Sequence, residues 1–266
     1  MNHASDPVVK HRLDAPRGFF AVEAAGLAWL AQARRDGGAV VVLPVEPVPL
    51  DATSLGVPRV HRHPATPASA EQFGRELAVT HRAGAPWFGC PPEGWADDGF
   101  IGPIPLPHNH SQLEIGWGEF FARYRIEPYL RQSHDLGLLP EQASRDLSTL
   151  CERLAAGEAR LCGPDEPVSR LHGDLWSGNV LWDGASAVLI DPAAHGGHRE
   201  SDLAMLALFG LDHLDRVLAA YDETQPLADG WRTRIGLHQL FPVLVHTVLF
   251  GASYGAQAAS LVRQYV

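Results

Sequence analysis

The stretch from 172 to 191, HGDLWSGNVLWDGASAVLID, constrains the fold more than any other part of this chain. A polar loop runs into two apolar segments of strand length, 179–183 and 187–191, with Asp183-Gly184 between them. Asp-Gly between apolar runs is a hairpin signal. A hairpin over these residues returns Asp191 beside Asn179, twelve positions earlier. The fold must therefore seat three polar side chains, Asp174, Asn179 and Asp191, at one end of a short antiparallel pair.

The rest of the chain sets the frame. Its 266 residues allow one large domain or two coupled lobes. A net charge of −10 and the lack of a basic stripe argue against a nucleic-acid partner. The three cysteines, Cys90, Cys151 and Cys162, form no CxxC pair, which argues against a disulfide framework and points to a reducing, cytoplasmic setting. The opening residues lack the apolar core of a signal peptide. The most apolar tract, Leu240 to Ala252, is too short for a membrane span and contains Pro242, so a buried helix is expected there.

Residues 7–10 read as the end of a strand, 17–35 as a helix stopped by Gly37-Gly38, and 39–43 as a second strand. Six prolines exclude a helix from 44–69, although Thr66 to Ser69 offers caps for a helix over 70–83. A long loop is expected over 84–112, one helix over 117–136, another over 140–156, and mainly helix from 200 onward. The expected architecture is α+β: a small β-rich part, residues 1–65, and a larger, mainly helical part, residues 66–266, with a ligand cleft between them.

The loop and hairpin carry the chemistry. Transfer of a phosphoryl group from ATP needs metal ions on the phosphates, a cation on the donor and a base for the acceptor hydroxyl. Kinases supply these as H-x-D-x-x-x-x-N followed by a metal-binding Asp. His172, Asp174 and Asn179 match that spacing, and Asp191 follows. Asp174 is then the base, Asn179 and Asp191 the ligands of Mg²⁺, and His172 a brace for the loop. Lys10, at the end of the first strand, and Glu23, on the first helix, match the cation that grips the phosphates and the carboxylate that pairs with it.

LHGDLWSGNVLW, IDPAAHGGHRESDLAMLALFG and FGRELAVTHRAGAPWFG resemble the fructosamine kinase (ketosamine-3-kinase) family. The resemblance runs from Lys10 to the C-terminal helices. It implies a protein-kinase-like two-lobe fold, similar to aminoglycoside and choline kinases. It also implies ATP-dependent phosphorylation of a ketoamine at O3, free or protein-bound, by a soluble monomer, after which the adduct falls away and the amine is restored. Trp176 would stack on the sugar or its amine-bearing chain, and Asp202 would brace the catalytic loop. His195, His198 and Arg199 would line the acceptor pocket.

Two departures stand beside the likeness. Only nine residues precede Lys10 and none is glycine, which leaves no room for the Gly-rich hairpin that covers the phosphates; a truncated small lobe is expected. Pro58 stands near the Glu expected before the linker, leaving Val57 and Arg59 as candidates for the adenine contacts. A kinase of the same fold with another acceptor, or a pseudokinase, are the alternatives. The G-x-S-x-G run Gly251 to Gly255 lacks a preceding strand and a following Asp and His, so it does not read as a hydrolase elbow. His61/His63 and His108/His110 lack a visible third or fourth partner for zinc.

Overall fold

A computed structural model describes residues 6–111 and 114–266. The chain opens with β1 (Val8–His11), then α1 (Phe19–Ala31), whose last turns tighten into a 3₁₀ segment, Gln32–Asp36. Gly37 ends that segment with φ 90°, as the Gly-Gly pair predicts. β2 is only Val40–Val41, and β3 (Ser54–Val57) lies within the proline-rich stretch. β3 pairs antiparallel with β1, setting Lys10 opposite Leu55.

α2 (Pro67–Arg82) starts three residues before the expected position. Thr66 and Ser69 cap it reciprocally: Ser69 N–H donates to Thr66 Oγ1 at 3.1 Å, and Thr66 N–H to Ser69 Oγ at 2.9 Å. Pro67 fits the first helical position, where its missing N–H costs nothing.

The expected loop over 84–112 contains a hairpin, β4 (Gly99–Ile101) and β5 (Ile104–Leu106). Gly102, at φ 54°, and Pro103 form its two-residue turn. The expected helix over 117–136 is interrupted. α3 (Trp117–Phe120) passes through a π-helical segment, Phe121–Ile126, into α4 (Glu127–Asp135). Pro128 has no N–H to give the carbonyl of Tyr124, and the Arg125 guanidinium donates to that carbonyl instead, at 2.9 Å.

α5 (Glu141–Ala155) and the short α6 (Ala159–Cys162) lead to β6 (Ser169–Leu171). The predicted hairpin follows as β7 (Val180–Trp182) and β8 (Ala187–Leu189), with Val180 opposite Leu189. Asp183 Oδ1 accepts from the N–H groups of Ala185 and Ser186, both at 2.9 Å, which closes its turn. β9 (His195–Gly197) turns back to pair with β6. α7 (Glu200–Phe209), α8 (Leu214–Thr224), α9 (Trp231–Phe250) and α10 (Ala252–Val262) complete the helical part.

β2 joins the β7/β8 hairpin in parallel, Val40 beside Val188 and Val41 beside Leu189. Phe20, Leu27, Leu55 and Val57 share one apolar cluster with Val188. The N-terminal residues are thus packed onto the hairpin that carries Asn179 and Asp191. The main core lies among α3 to α5, α9 and α10, where Phe120, Tyr129, Leu147, Leu244 and Val262 are buried. Leu240 to Val245 are buried within α9, as the apolar tract predicts, and no helix among the described residues is long and apolar enough to cross a membrane. Gly251 separates α9 from α10, so Ser253 sits in a helix rather than on a strand-to-helix elbow.

Candidate active site

A cavity of about 260 Å³ lies over the loop after β6 and the end of β8. Its floor holds Asp174, Asn179 and Asp191, with Trp176 at one side. Phe19, Val22 and Glu23 of α1 form a second side, and the β4/β5 hairpin, through Phe100, Ile101 and Leu106, forms the wall.

The loop is held from below. His172 Nε2 lies 2.9 Å from the Ile190 carbonyl, so it is the protonated nitrogen, and Nδ1 accepts from the Asp174 N–H at 3.3 Å. Gly173 follows with φ 81°, and a Cβ there would come within 2.1 Å of the Ala193 carbonyl oxygen. Asp202, 1% exposed in the first turn of α7, accepts three hydrogen bonds: His172 N–H at 2.8 Å, Gly173 N–H at 3.0 Å and His81 Nε2 at 3.1 Å. Burial alone would push its carboxyl up, but the His81 hydrogen bond and charge, with the backbone donor, hold it below the usual carboxylate range. His81 is in turn fixed by the Tyr221 hydroxyl at 2.8 Å.

Asp174 has the opposite environment. Its carboxyl opens into the cavity, yet protein surrounds it on most sides. Burial pushes its pKa up to about 7; the Asn179 hydrogen bond opposes this, and the nearby charges of Asp191 and Asp202 add to it. Asn179 Nδ2 donates to Asp174 Oδ2 at 3.0 Å and to the Asp174 carbonyl at 2.8 Å. Asp191 leaves β8 with φ 56°, in the left-handed region. Lys10 forms ion pairs with both Glu23 and Asp191. Burial works against the Lys10 charge, but the two carboxylates outweigh it and raise its pKa. Residues 181 positions apart thereby meet at the cavity floor.

The donor set suits a hard divalent cation. Asn179 and Asp191 offer amide and carboxylate oxygens, and among the described residues no hydrogen bond engages Asn179 Oδ1 or Asp191 Oδ2.

Of the other expected residues, only Trp176 lines this cavity. Val57 is buried at the end of β3 and Arg59 is exposed beyond it; neither lines this cavity. Trp176 is 41% exposed, edge-on to Phe209 at 6.1 Å. His195, His198 and Arg199 do not line the cavity, contrary to expectation, because pairing of β9 with β6 buries this segment. His195 Nδ1 bonds the Ala193 carbonyl at 2.9 Å. His198 packs on the Trp117 ring at 5.1 Å, and burial lowers its pKa to about 3. Arg199 clasps both oxygens of Glu166 at 2.6 Å and donates to the carbonyls of Gln225 and Pro226.

The pair His108/His110 does gain a third neighbour. Asp98 accepts from the His108 N–H at 2.9 Å and meets His110 Nε2 at 2.8 Å, contacts that tie the loop after β5 to the residue before β4. Sequence reading missed the whole cavity wall. Gly102-Pro103 between apolar residues was its available signal.

A Lys-Glu pair, an H-x-D-x-x-x-x-N loop and an Asp after a hairpin thus converge on one cavity. The family model for fructosamine kinase matches residues 8–266. The chain belongs to the fructosamine kinase family. A provisionally named ketoamine kinase of Enterococcus faecium is 33% identical over 191 residues, 71% of this chain and 64% of that protein. A mouse (Mus musculus) protein named ketosamine-3-kinase is 35% identical over 159 residues, 58% of this chain and 48% of that one. This fructosamine kinase family chain spans under two thirds of the length of the first curated relatives that it matches. A solved structure from Thermobifida fusca, provisionally assigned as a fructosamine-3-kinase, is 47% identical; the match covers 96% of this chain and 84% of that one, with a TM-score of 0.84. A gentamicin complex of APH(2")-IIa is similar in fold alone, at 11% identity and a TM-score of 0.61 over 98% of this chain and 86% of that one. The fold is therefore α+β and protein-kinase-like.

Proposed function

We propose that this chain transfers the terminal phosphoryl group of ATP to O3 of a ketoamine, a ketose joined through C1 to an amine. The observation that carries this reading is Asp174. It stands at the cavity floor with a pKa near 7, hydrogen-bonded to Asn179 and close to Asp191, which is itself paired with Lys10. A base with its pKa near the working pH combines availability with proton-transfer strength. The family membership and the names of the relatives support the ketoamine class.

The residues divide the work. Lys10, steadied by Glu23, would release Asp191 and bind phosphate oxygens when ATP enters. Asn179 and Asp191 would hold Mg²⁺, which neutralises charge on the phosphates as the bond to ADP breaks. Asp174 takes the proton of the acceptor hydroxyl while that oxygen forms its bond to phosphorus. Trp176 offers an exposed indole to the sugar or to the chain that bears the amine. Val57 and Arg59 remain the candidates for adenine, and the division at residue 65 separates the part that carries Lys10 from the part that carries Asp174. The phosphorylated ketoamine then breaks down to release the amine, a deglycation.

The test is ATP consumption with a fructosyl- or ribulosyl-amine, alongside an aminoglycoside and choline, with phosphorus NMR of the product. Phosphate on O3 of the ketoamine is the expected result. Turnover only with another acceptor, or with none, would overturn it.

A further inference from the structure

The cavity wall formed by the β4/β5 hairpin is apolar, with one interruption. His108 lines the cavity and is 3% exposed, and its Nε2 has no hydrogen-bond partner among the described residues. The other ring nitrogen decides the tautomer. Nδ1 lies 3.0 Å from the Asp97 carbonyl oxygen, which only accepts, so Nδ1 carries the proton. Nε2 is then a bare lone pair. Burial lowers the pKa of the ring to about 4, which keeps it neutral. The bond from its own N–H to Asp98 at 2.9 Å pins the residue in place.

Leaving a buried acceptor unpaired costs free energy, and such a group beside a cavity is suited to a ligand. Gly99 keeps it open. A Cβ there would sit 3.1 Å from His108 Cε1 and 3.4 Å from Nε2.

We infer that His108 Nε2 accepts a hydrogen bond from a second hydroxyl of the sugar, one other than the hydroxyl presented to Asp174. The inference rests on the ketoamine reading above. A neutral acceptor needs a ligand with a proton to give, so a carboxylate or phosphate cannot satisfy it. Two contacts on one ring or chain fix which hydroxyl meets the base. His108 is thus a specificity-determining residue that selects polyhydroxy acceptors.

The experiment uses a 1-amino-1-deoxyketose and its monodeoxy analogues with Mg-ATP, on the wild-type chain and on His108→Gln, His108→Leu and Gly99→Ala. In the wild type, one analogue should lose about tenfold to a hundredfold in kcat/KM, the scale of one buried hydrogen bond. That selective penalty should vanish in His108→Leu and in Gly99→Ala, and persist in part in His108→Gln, which keeps an acceptor. Nitrogen NMR of labelled histidine gives a readout independent of turnover: the His108 Nε2 signal should shift when the ketoamine is added without ATP. A penalty that is equal for all analogues, or unchanged in His108→Leu and Gly99→Ala, overturns the inference, as does an unmoved Nε2 signal. If the ketoamine shifts Nε2 but is never phosphorylated, the activity reading fails while the contact stands.

Discussion

The floor and the wall of the cavity are built on different principles. The floor, residues 171–202, is held by buried hydrogen bonds that leave little freedom: Asp202 alone fixes two backbone N–H groups and His81. The wall, residues 99–108, is a short hairpin around Gly102-Pro103 that packs its apolar side chains on its neighbours, with the Phe100 ring 5.2 Å from Phe19. Within the floor the contrast repeats. Asp202 and Asp174 are both largely enclosed, yet one is held below the ordinary carboxylate range and the other is raised to about 7. The difference is the number of donors. Three hydrogen bonds stabilise the Asp202 anion, whereas Asp174 receives one from a side chain and faces two like charges. Two carboxylates of one cavity floor, one in the loop after β6 and one in the first turn of α7, thus have opposite environments.

Asp174→Asn should have the largest effect. If Asp174 is the base as proposed, its loss should lower kcat by about 10²- to 10⁴-fold. Wild-type kcat/KM should rise with pH and level off above about 7, because protonated Asp174 cannot accept the proton, and the variant should lose that limb. The sign for stability is the reverse. The folded carboxyl binds its proton more tightly than the unfolded one, so its contribution favours folding at low pH and is lost as pH rises to about 7. Asp174→Asn should therefore gain stability over wild type between pH 4 and 8 in urea melts. A variant that loses stability over that range would break the contrast with Asp202.

Asp202→Ala should come next, costing about 3–5 kcal/mol of unfolding free energy, since it strands buried donors beneath the loop. Calorimetry would read the lower melting temperature, and kinase assays the accompanying loss of turnover. Gly173→Ala should cost about 2 kcal/mol or more, because an Ala is strained at this φ and its Cβ would strike the Ala193 carbonyl. A melting temperature equal to wild type would show that the floor can yield. The wall should respond least. Phe100→Ala should raise KM for the acceptor by roughly tenfold or less, about 1 kcal/mol, and leave KM for ATP unchanged. An equal rise for ATP would place the wall in nucleotide binding and erase the division of labour.

Legibility followed the same division. Asp174, Asn179 and Asp191 were readable because their geometry is local: seventeen positions and one Asp-Gly turn bring them together. The wall was not, since Gly99 to Leu106 is only two three-residue strands among prolines and glycines. His195 to Arg199 misled for a related reason. A glycine- and histidine-rich stretch reads as an exposed loop, and only its pairing with β6 buries it.

The sequence by itself determined the loop-and-hairpin centre, the Lys10 and Glu23 pair and the apolar α9, and its likeness to known kinases pointed to the family. The first three rest on short-range spacing or on periodicity, which the backbone converts directly into geometry. Tertiary structure alone decided the Lys10 contact to Asp191 across 181 residues, the opposite states of Asp174 and Asp202, and the bare nitrogen of His108. Those depend on which distant groups exclude water from a side chain and which supply it with a donor.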